Sequence, residues 1–164
     1  MSIPILSIVG KSGSGKTTLL EKIIADLKVR GYRLATIKHH AHPGFEIDQP
    51  GKDTWRHARA GSDLVIIAAP DRMASIRKLE RELTLDEITA GIDGVDLILT
   101  EGYKSAGKPA IEVVRSEVST EPISETDQLV ALATDIPLEI DLPQFLLNDV
   151  DGIVEFIITQ FINT

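Results

Sequence analysis

The residues from Gly10 to Thr17 read Gly-Lys-Ser-Gly-Ser-Gly-Lys-Thr, which is the G-x-x-x-x-G-K-[ST] spacing of a loop that binds nucleotide phosphates. Because glycines have no side chain, the backbone N–H groups of such a loop can approach phosphate oxygens closely. We expect Lys16 to reach the β- and γ-phosphates, and the Thr17 hydroxyl to ligate Mg²⁺. A flexible turn would need only one or two glycines and no fixed Lys-Thr pair. The predicted phosphate-binding residues are Gly10, Lys11, Ser12, Gly13, Ser14, Gly15, Lys16, Thr17 and Thr18, and Lys16 is also a catalytic candidate.

A second candidate metal ligand is Glu101, which follows the apolar run Val95–Thr100 and precedes a glycine. A phosphate-bound Mg²⁺ usually takes a carboxylate from the end of a neighbouring strand, directly or through water. In a parallel sheet, ligands bind beyond the carboxyl ends of the strands, which is where this residue falls. The alternative is an ordinary surface acid. We predict a metal site formed by Thr17 and Glu101.

The segment Lys38-His39-His40-Ala41-His42 follows another predicted strand. Its position at a strand's carboxyl end favours Lys38 and His39 facing the phosphate site, so both are predicted to bind nucleotide. A zinc site is a weaker interpretation, because the histidines lack the usual ligand spacing and no cysteine is nearby. His40 and His42 are then solvated loop residues.

Two acids of the next loop, Asp48 and Asp53, flank Gln-Pro-Gly-Lys. They could supply an Mg²⁺-bound water or orient an attacking one, and we predict them as catalytic residues. The alternative roles are a helix N-cap and a surface acid. The residues alone leave both interpretations open.

The elements that must position these residues alternate between apolar strands and amphipathic helices. This alternation predicts an α/β fold resembling P-loop NTPases, with a doubly wound, mainly parallel sheet flanked by helices and an additional edge strand near Met73–Lys78. One further apolar run, Leu64–Ala69, is expected to be a fully buried strand. An apolar stripe after Asn148 or Asp149 predicts a C-terminal helix capped by one of them. No linker divides the chain, so a single domain over residues 1–164 is expected.

The composition limits the classes of partner. The chain has 164 residues, a formal net charge of −8, no basic block and no cysteine. Duplex nucleic acid is therefore not expected as a partner, and disulfides and thiol catalysis are excluded. No signal-peptide pattern or apolar run of about 20 residues is present, so we expect a cytoplasmic protein without membrane contact.

Several segments together resemble molybdopterin-guanine dinucleotide biosynthesis protein B, the MobB family. They are the phosphate loop through Leu20, Ile37–His40, Asp48–Thr54, Arg59–Gly61 and Leu97–Lys104. The resemblance implies a GTP-binding protein of the deviant P-loop class, usually a homodimer, that hydrolyses GTP weakly at most. It also implies assistance to the guanylyltransferase that attaches GMP to molybdopterin. Carried over to this chain, residues 10–18 hold the phosphates, Glu101 completes the Mg²⁺ site, and Asp48 and Asp53 lie nearby.

The sequence lacks the Asn-Lys-x-Asp signature for guanine, so another loop must recognise the base. We predict that Asp135, on the loop after the strand Leu129–Ala133, accepts hydrogen bonds from the guanine N1–H and 2-amino groups. The alternative is an ordinary turn in which aspartate is chosen for turn chemistry. Two other functions stay open, a small-molecule kinase with Arg72, Arg77 and Arg81 as its lid, and a metallochaperone-type GTPase.

Overall fold

The computed structural model describes residues 2–42, 44–124 and 127–163. The chain forms two compact units. We call the segments up to His39 and from Leu85 onward the sheet unit, and His40–Thr84 the hairpin unit.

The elements follow one another in the order β1 (Ile5–Val9), α1 (Lys16–Val29), β2 (Leu34–Lys38), α2 (Asp53–Arg59), β3 (Leu64–Ala69), β4 (Arg72–Arg77), α3 (Leu85–Thr89), β5 (Leu97–Glu101), β6 (Ala110–Val114), β7 (Leu129–Thr134), β8 (Gln144–Leu146) and α4 (Val150–Ile157). A π-helical turn over Ile158–Ile162 continues the last helix. The short strand β8 has no counterpart among the sequence-based predictions. No helix of the described residues is long and apolar enough to cross a membrane.

The sheet unit contains a six-stranded sheet in the order β2-β5-β1-β6-β7-β8, with every pair parallel. Strand β1 lies between β5 and β6, so the loops that follow these three strands meet at one edge of the sheet. This arrangement confirms the predicted α/β fold with a mainly parallel sheet. Strands β1, β5 and β6 are buried on both faces, which explains why their sequences read as continuous apolar runs.

Helices α1 and α4 cover one face of the sheet. The buried apolar side chains of this layer are Leu19, Leu20, Ile23 and Leu27 of α1 and Ile153, Val154 and Ile157 of α4. On the opposite face a smaller cluster contains Val9, Ala110, Val114, Leu129 and Leu132. The predicted cap of the last helix is confirmed, because the Asp149 side chain accepts a hydrogen bond from the Gly152 backbone N–H at 3.1 Å.

The hairpin unit corrects two predictions. Strand β3 pairs only with β4, antiparallel and in a separate two-stranded sheet, and its Val65 alone is buried. The expectation of a fully buried strand was wrong, because an apolar run of this length does not reveal what covers it, and Ile66 and Ile67 are 53% and 58% exposed. The proposed capping role of Asp53 was also wrong. It is the first residue of α2, and the N-cap is Lys52, with no side-chain cap.

Candidate nucleotide-binding site

The phosphate loop connects the end of β1 to the start of α1. Its three glycines, Gly10, Gly13 and Gly15, have φ values of 136°, 81° and 94°, which residues with L side chains rarely adopt. A Cβ atom at Gly10 would also lie 2.5 Å from the Val113 carbonyl oxygen of β6. Helix α1 begins without a side-chain cap, so its first N–H groups remain available to an anion. The loop therefore fits the phosphate chain of a nucleotide.

Lys16 is folded back onto this loop. Its Nζ donates a hydrogen bond to the Lys11 carbonyl oxygen at 2.6 Å. Burial lowers the pKa of Lys16 from its ordinary value, and the nearby Lys38 ammonium adds to that effect, whereas Glu101 and Glu112 oppose it. An anion arriving at the loop would replace a backbone carbonyl as the partner of this ammonium group.

The predicted metal ligands lie side by side. The Thr17 hydroxyl donates to both carboxylate oxygens of Glu101, at 3.0 Å each, and Lys38 Nζ contacts one of them at 3.0 Å. The strand register places these residues together, because Glu101 pairs with Ile8 of β1 on one side and with Lys38 of β2 on the other. A hydroxyl and a carboxylate are hard oxygen ligands, so these residues fit Mg²⁺. In the structure as described, the Lys38 ammonium balances the Glu101 charge.

His39 lies at the same edge of the sheet. Its backbone N–H donates to the Glu101 carbonyl oxygen at 3.0 Å, and its ring is 4.7 Å from that of Tyr103. A Cβ atom at Gly102 would lie 3.1 Å from the His39 Cβ. Tyr103 has φ 58° and is the only non-glycine residue of positive φ in the described ranges. Tyr103 was not among the predicted site residues, although it lies in the segment Leu97–Lys104 that carries the family resemblance.

Two charged residues near the phosphate loop were also missed. Arg115 Nε donates to the Ser14 carbonyl oxygen at 3.2 Å. Glu112 is 1% exposed, and its carboxylate accepts the backbone N–H groups of Ile123 and Ser124 at 2.7 and 3.0 Å. The signal for Glu112 is a charged residue within an apolar strand segment, since a buried charge must find partners.

Asp135 follows β7 at the carboxyl edge of the sheet, where it was predicted. Its two oxygens accept the Ser116 backbone N–H at 2.8 Å and the Ser116 hydroxyl at 3.0 Å. The bond from the Ser116 backbone is the main cause that lowers the pKa of Asp135 below its ordinary value, despite opposition from burial. Recognition of guanine by Asp135 stays a prediction. In the structure its carboxylate also fixes Ser116 through these two hydrogen bonds.

The remaining candidates lie in the hairpin unit. Asp48 accepts the backbone N–H of Gln49 at 2.8 Å, and Asp53 opens α2. Their catalytic roles stay predictions. His40 contacts the His42 and Phe45 rings at centroid distances of 6.1 and 6.2 Å. Across the described ranges no group of three or more His, Asp or Glu side chains could hold a metal ion, which gives the zinc interpretation no support there.

A family model described as Molybdopterin guanine dinucleotide synthesis protein B matches residues 5–135, a span that includes the phosphate loop, Glu101 and Asp135. The chain belongs to this MobB family. It is 43% identical to the molybdopterin-guanine dinucleotide biosynthesis adapter protein of Haemophilus influenzae over 158 residues, which cover 94% of this chain and 88% of the relative.

Other members agree in sequence and fold. The adapter protein of the same name from Escherichia coli is 36% identical, over 95% of this chain and 92% of the relative. The crystal structure of Bacillus subtilis MobB superposes with a TM-score of 0.78 at 26% identity, covering 99% of this chain and all of that one. The MobB resemblance inferred from the sequence is thus confirmed.

Proposed function

We propose that this chain is a GTP-binding adapter protein of molybdopterin guanine dinucleotide biosynthesis, which binds Mg²⁺-GTP at its phosphate loop. The observation that carries the proposal is the contact of the Thr17 hydroxyl with both oxygens of Glu101. A hydroxyl that follows the phosphate loop and a carboxylate at a strand end are the oxygen ligands that a phosphate-bound magnesium ion usually takes. Membership of the MobB family supports a role in this pathway, because two relatives are named molybdopterin-guanine dinucleotide biosynthesis adapter proteins.

Each residue of the site has a task in this proposal. The loop glycines leave room for the phosphates, Lys16 exchanges the Lys11 carbonyl for a phosphate oxygen, and Thr17 and Glu101 hold Mg²⁺. Magnesium, when bound, neutralises phosphate charge. Lys38 Nζ lies 3.0 Å from a Glu101 oxygen, and a magnesium ion at that carboxylate would leave the ammonium group available to the nucleotide.

An adapter needs partner proteins. We propose the guanylyltransferase that joins GMP to molybdopterin, together with a second copy of this chain. The hairpin unit supports a protein contact, because Ile66 and Met73 lie on the same face of the β3–β4 pair and are 53% and 70% exposed. The small-molecule kinase alternative gains no support, since Arg72 of its suggested lid bonds to the adjacent Asp71 on an exposed strand.

Calorimetry with GTP and ATP, each with and without Mg²⁺, tests the proposal. We expect GTP to bind more tightly than ATP by more than about 10-fold, because a site that hydrogen-bonds one base rejects another. Mg²⁺ should strengthen GTP binding in the wild type but not in Glu101→Gln, which keeps the side-chain shape and loses the charge. Asp96→Asn, at the opposite edge of the sheet, is the matched control. Equal affinity for GTP and ATP, or an undiminished Mg²⁺ effect in Glu101→Gln, would contradict the proposal.

A further inference from the structure

Arg115 lies directly after β6 and turns its side chain onto the phosphate loop. Its Nε donates to the Ser14 carbonyl oxygen at 3.2 Å. One terminal nitrogen of the same guanidinium lies 3.1 Å from the point that a Cβ atom on Gly15 would occupy. The side chain is partly buried. The guanidinium therefore occupies the space that the missing side chain of Gly15 leaves open.

This contact has a geometric consequence for the peptide between Ser14 and Gly15. A peptide unit is planar and trans, so its C=O and N–H groups point in opposite directions. A hydrogen bond that fixes the Ser14 carbonyl toward Arg115 thus fixes the Gly15 N–H on the other side. In a phosphate loop of this spacing, the backbone N–H groups cradle the α- and β-phosphates.

The backbone that carries Arg115 is itself held in place. Val114, the residue before it, pairs with Thr134 of β7 in the sheet. Ser116, the residue after it, donates its backbone N–H and its hydroxyl to the Asp135 carboxylate. Restraint on both sides gives the guanidinium a defined position at the loop, which a freely moving surface arginine would lack.

We propose that Arg115 is a positioning residue that fixes the Ser14–Gly15 peptide and so directs the Gly15 N–H at the diphosphate part of a bound nucleotide. The inference rests on the proposed function, since it needs a nucleotide at the loop. It differs from the role of an arginine that contacts the γ-phosphate directly. A positioning role affects GDP and GTP alike, whereas a γ-phosphate contact affects GTP alone.

The test compares Arg115→Met and Arg115→Lys with the wild type, by calorimetry with Mg²⁺-GDP and Mg²⁺-GTP. We expect Arg115→Met to weaken both nucleotides by about 10-fold or more, which is the usual effect of losing a hydrogen bond from a charged donor. Arg115→Lys should retain part of the affinity, because its ammonium group can still donate. The matched control is Arg33→Met, which removes an arginine bonded to Asp96 at the opposite edge of the sheet and should leave both affinities unchanged.

Nuclear magnetic resonance of the backbone gives a second readout at the peptide itself. Addition of GDP should shift the Gly15 amide resonance of the wild type strongly and that of Arg115→Lys less, while the Gly31 amide at the end of α1 stays in place. This comparison decides the question if Arg115→Met does not fold.

Three results would overturn the inference. They are unchanged affinities in Arg115→Met, a loss confined to GTP, and a Gly15 shift in Arg115→Lys equal to that of the wild type. If the wild type itself bound neither nucleotide, the proposed function would fail as well, so the two failures are distinguishable.

Discussion

At the scale of single residues, the Lys38–Glu101–Thr17 group explains how a charged site exists without its ligand. Glu101 is mostly buried, with a side-chain exposure of 12%, and a carboxylate in that position needs partners. The Thr17 hydroxyl and the Lys38 ammonium supply them. Binding of Mg²⁺ would then exchange one cation for another at the same carboxylate, so the site need not create a new buried charge.

Asp135 offers a prediction at the same scale. If its carboxylate reads guanine, Asp135→Asn should shift preference from GTP towards xanthosine triphosphate, because the amide can donate where the carboxylate accepts. Asp135→Ala should weaken GTP by roughly 1–3 kcal/mol, the usual effect of an unpaired buried donor. Competition binding with the two nucleotides measures both effects.

Ser116→Ala is the control for Asp135, because that variant removes the hydroxyl bonded to the carboxylate and leaves the carboxylate in place. If Ser116→Ala reproduces the effects of Asp135→Ala, or if Asp135→Asn keeps the wild-type order of affinities, base recognition lies elsewhere.

At the scale of elements, the cap of α4 shows how a local signal fixes a helix start. Asp149 accepts the Gly152 N–H, and a Cβ atom at position 152 would lie 2.5 Å from that carboxylate. Asp149→Ala should reduce the free energy of unfolding by about 1 kcal/mol. Urea denaturation followed by circular dichroism measures the change, with the exposed Asp141→Ala as control. If the free energies of unfolding of the two variants differ by less than about 0.3 kcal/mol, the Asp149 cap does not stabilise the protein.

The elements also show where sequence reasoning succeeds. Strands β1, β5, β6 and β7 were predictable because a parallel strand covered on both faces must be apolar throughout. The same rule misassigned β3, which is apolar but belongs to a two-stranded hairpin and is largely exposed. An apolar run does not show whether other elements cover the strand. The strand β8 was missed because its three residues are too few to show a period.

Some residues of the candidate site could be predicted from the sequence and others could not. Lys16 and Thr17 follow from a local motif, and Glu101 follows from the rule on strand ends. Arg115 could not be predicted, because its contact with Ser14 depends on β6 being the neighbour of β1. Strand order is a long-range property that spacing within one sequence does not contain.

At the scale of the whole molecule, the proposed adapter role predicts slow chemistry. We expect GTP hydrolysis by the isolated protein well below about 1 s⁻¹, the lower end for good phosphoryl-transfer enzymes. No glutamine follows Glu101-Gly102 to orient a water, and the arginine near the loop, Arg115, is bonded to a backbone carbonyl. Release of inorganic phosphate under saturating GTP measures the rate. Rapid steady turnover without a partner would contradict the prediction.

The most direct test of Mg²⁺-GTP binding at the phosphate loop is a calorimetric titration of GTP into the wild type and into Lys16→Ala. Within the part of the chain that the structure describes, the Lys16 ammonium group hydrogen-bonds to the Lys11 carbonyl of the loop itself, so its removal should change the melting temperature little. We predict a loss of GTP affinity of about 100-fold or more, because the ammonium group makes charge-assisted bonds to phosphate. The same affinity in both proteins would contradict the assignment of this loop as the nucleotide site.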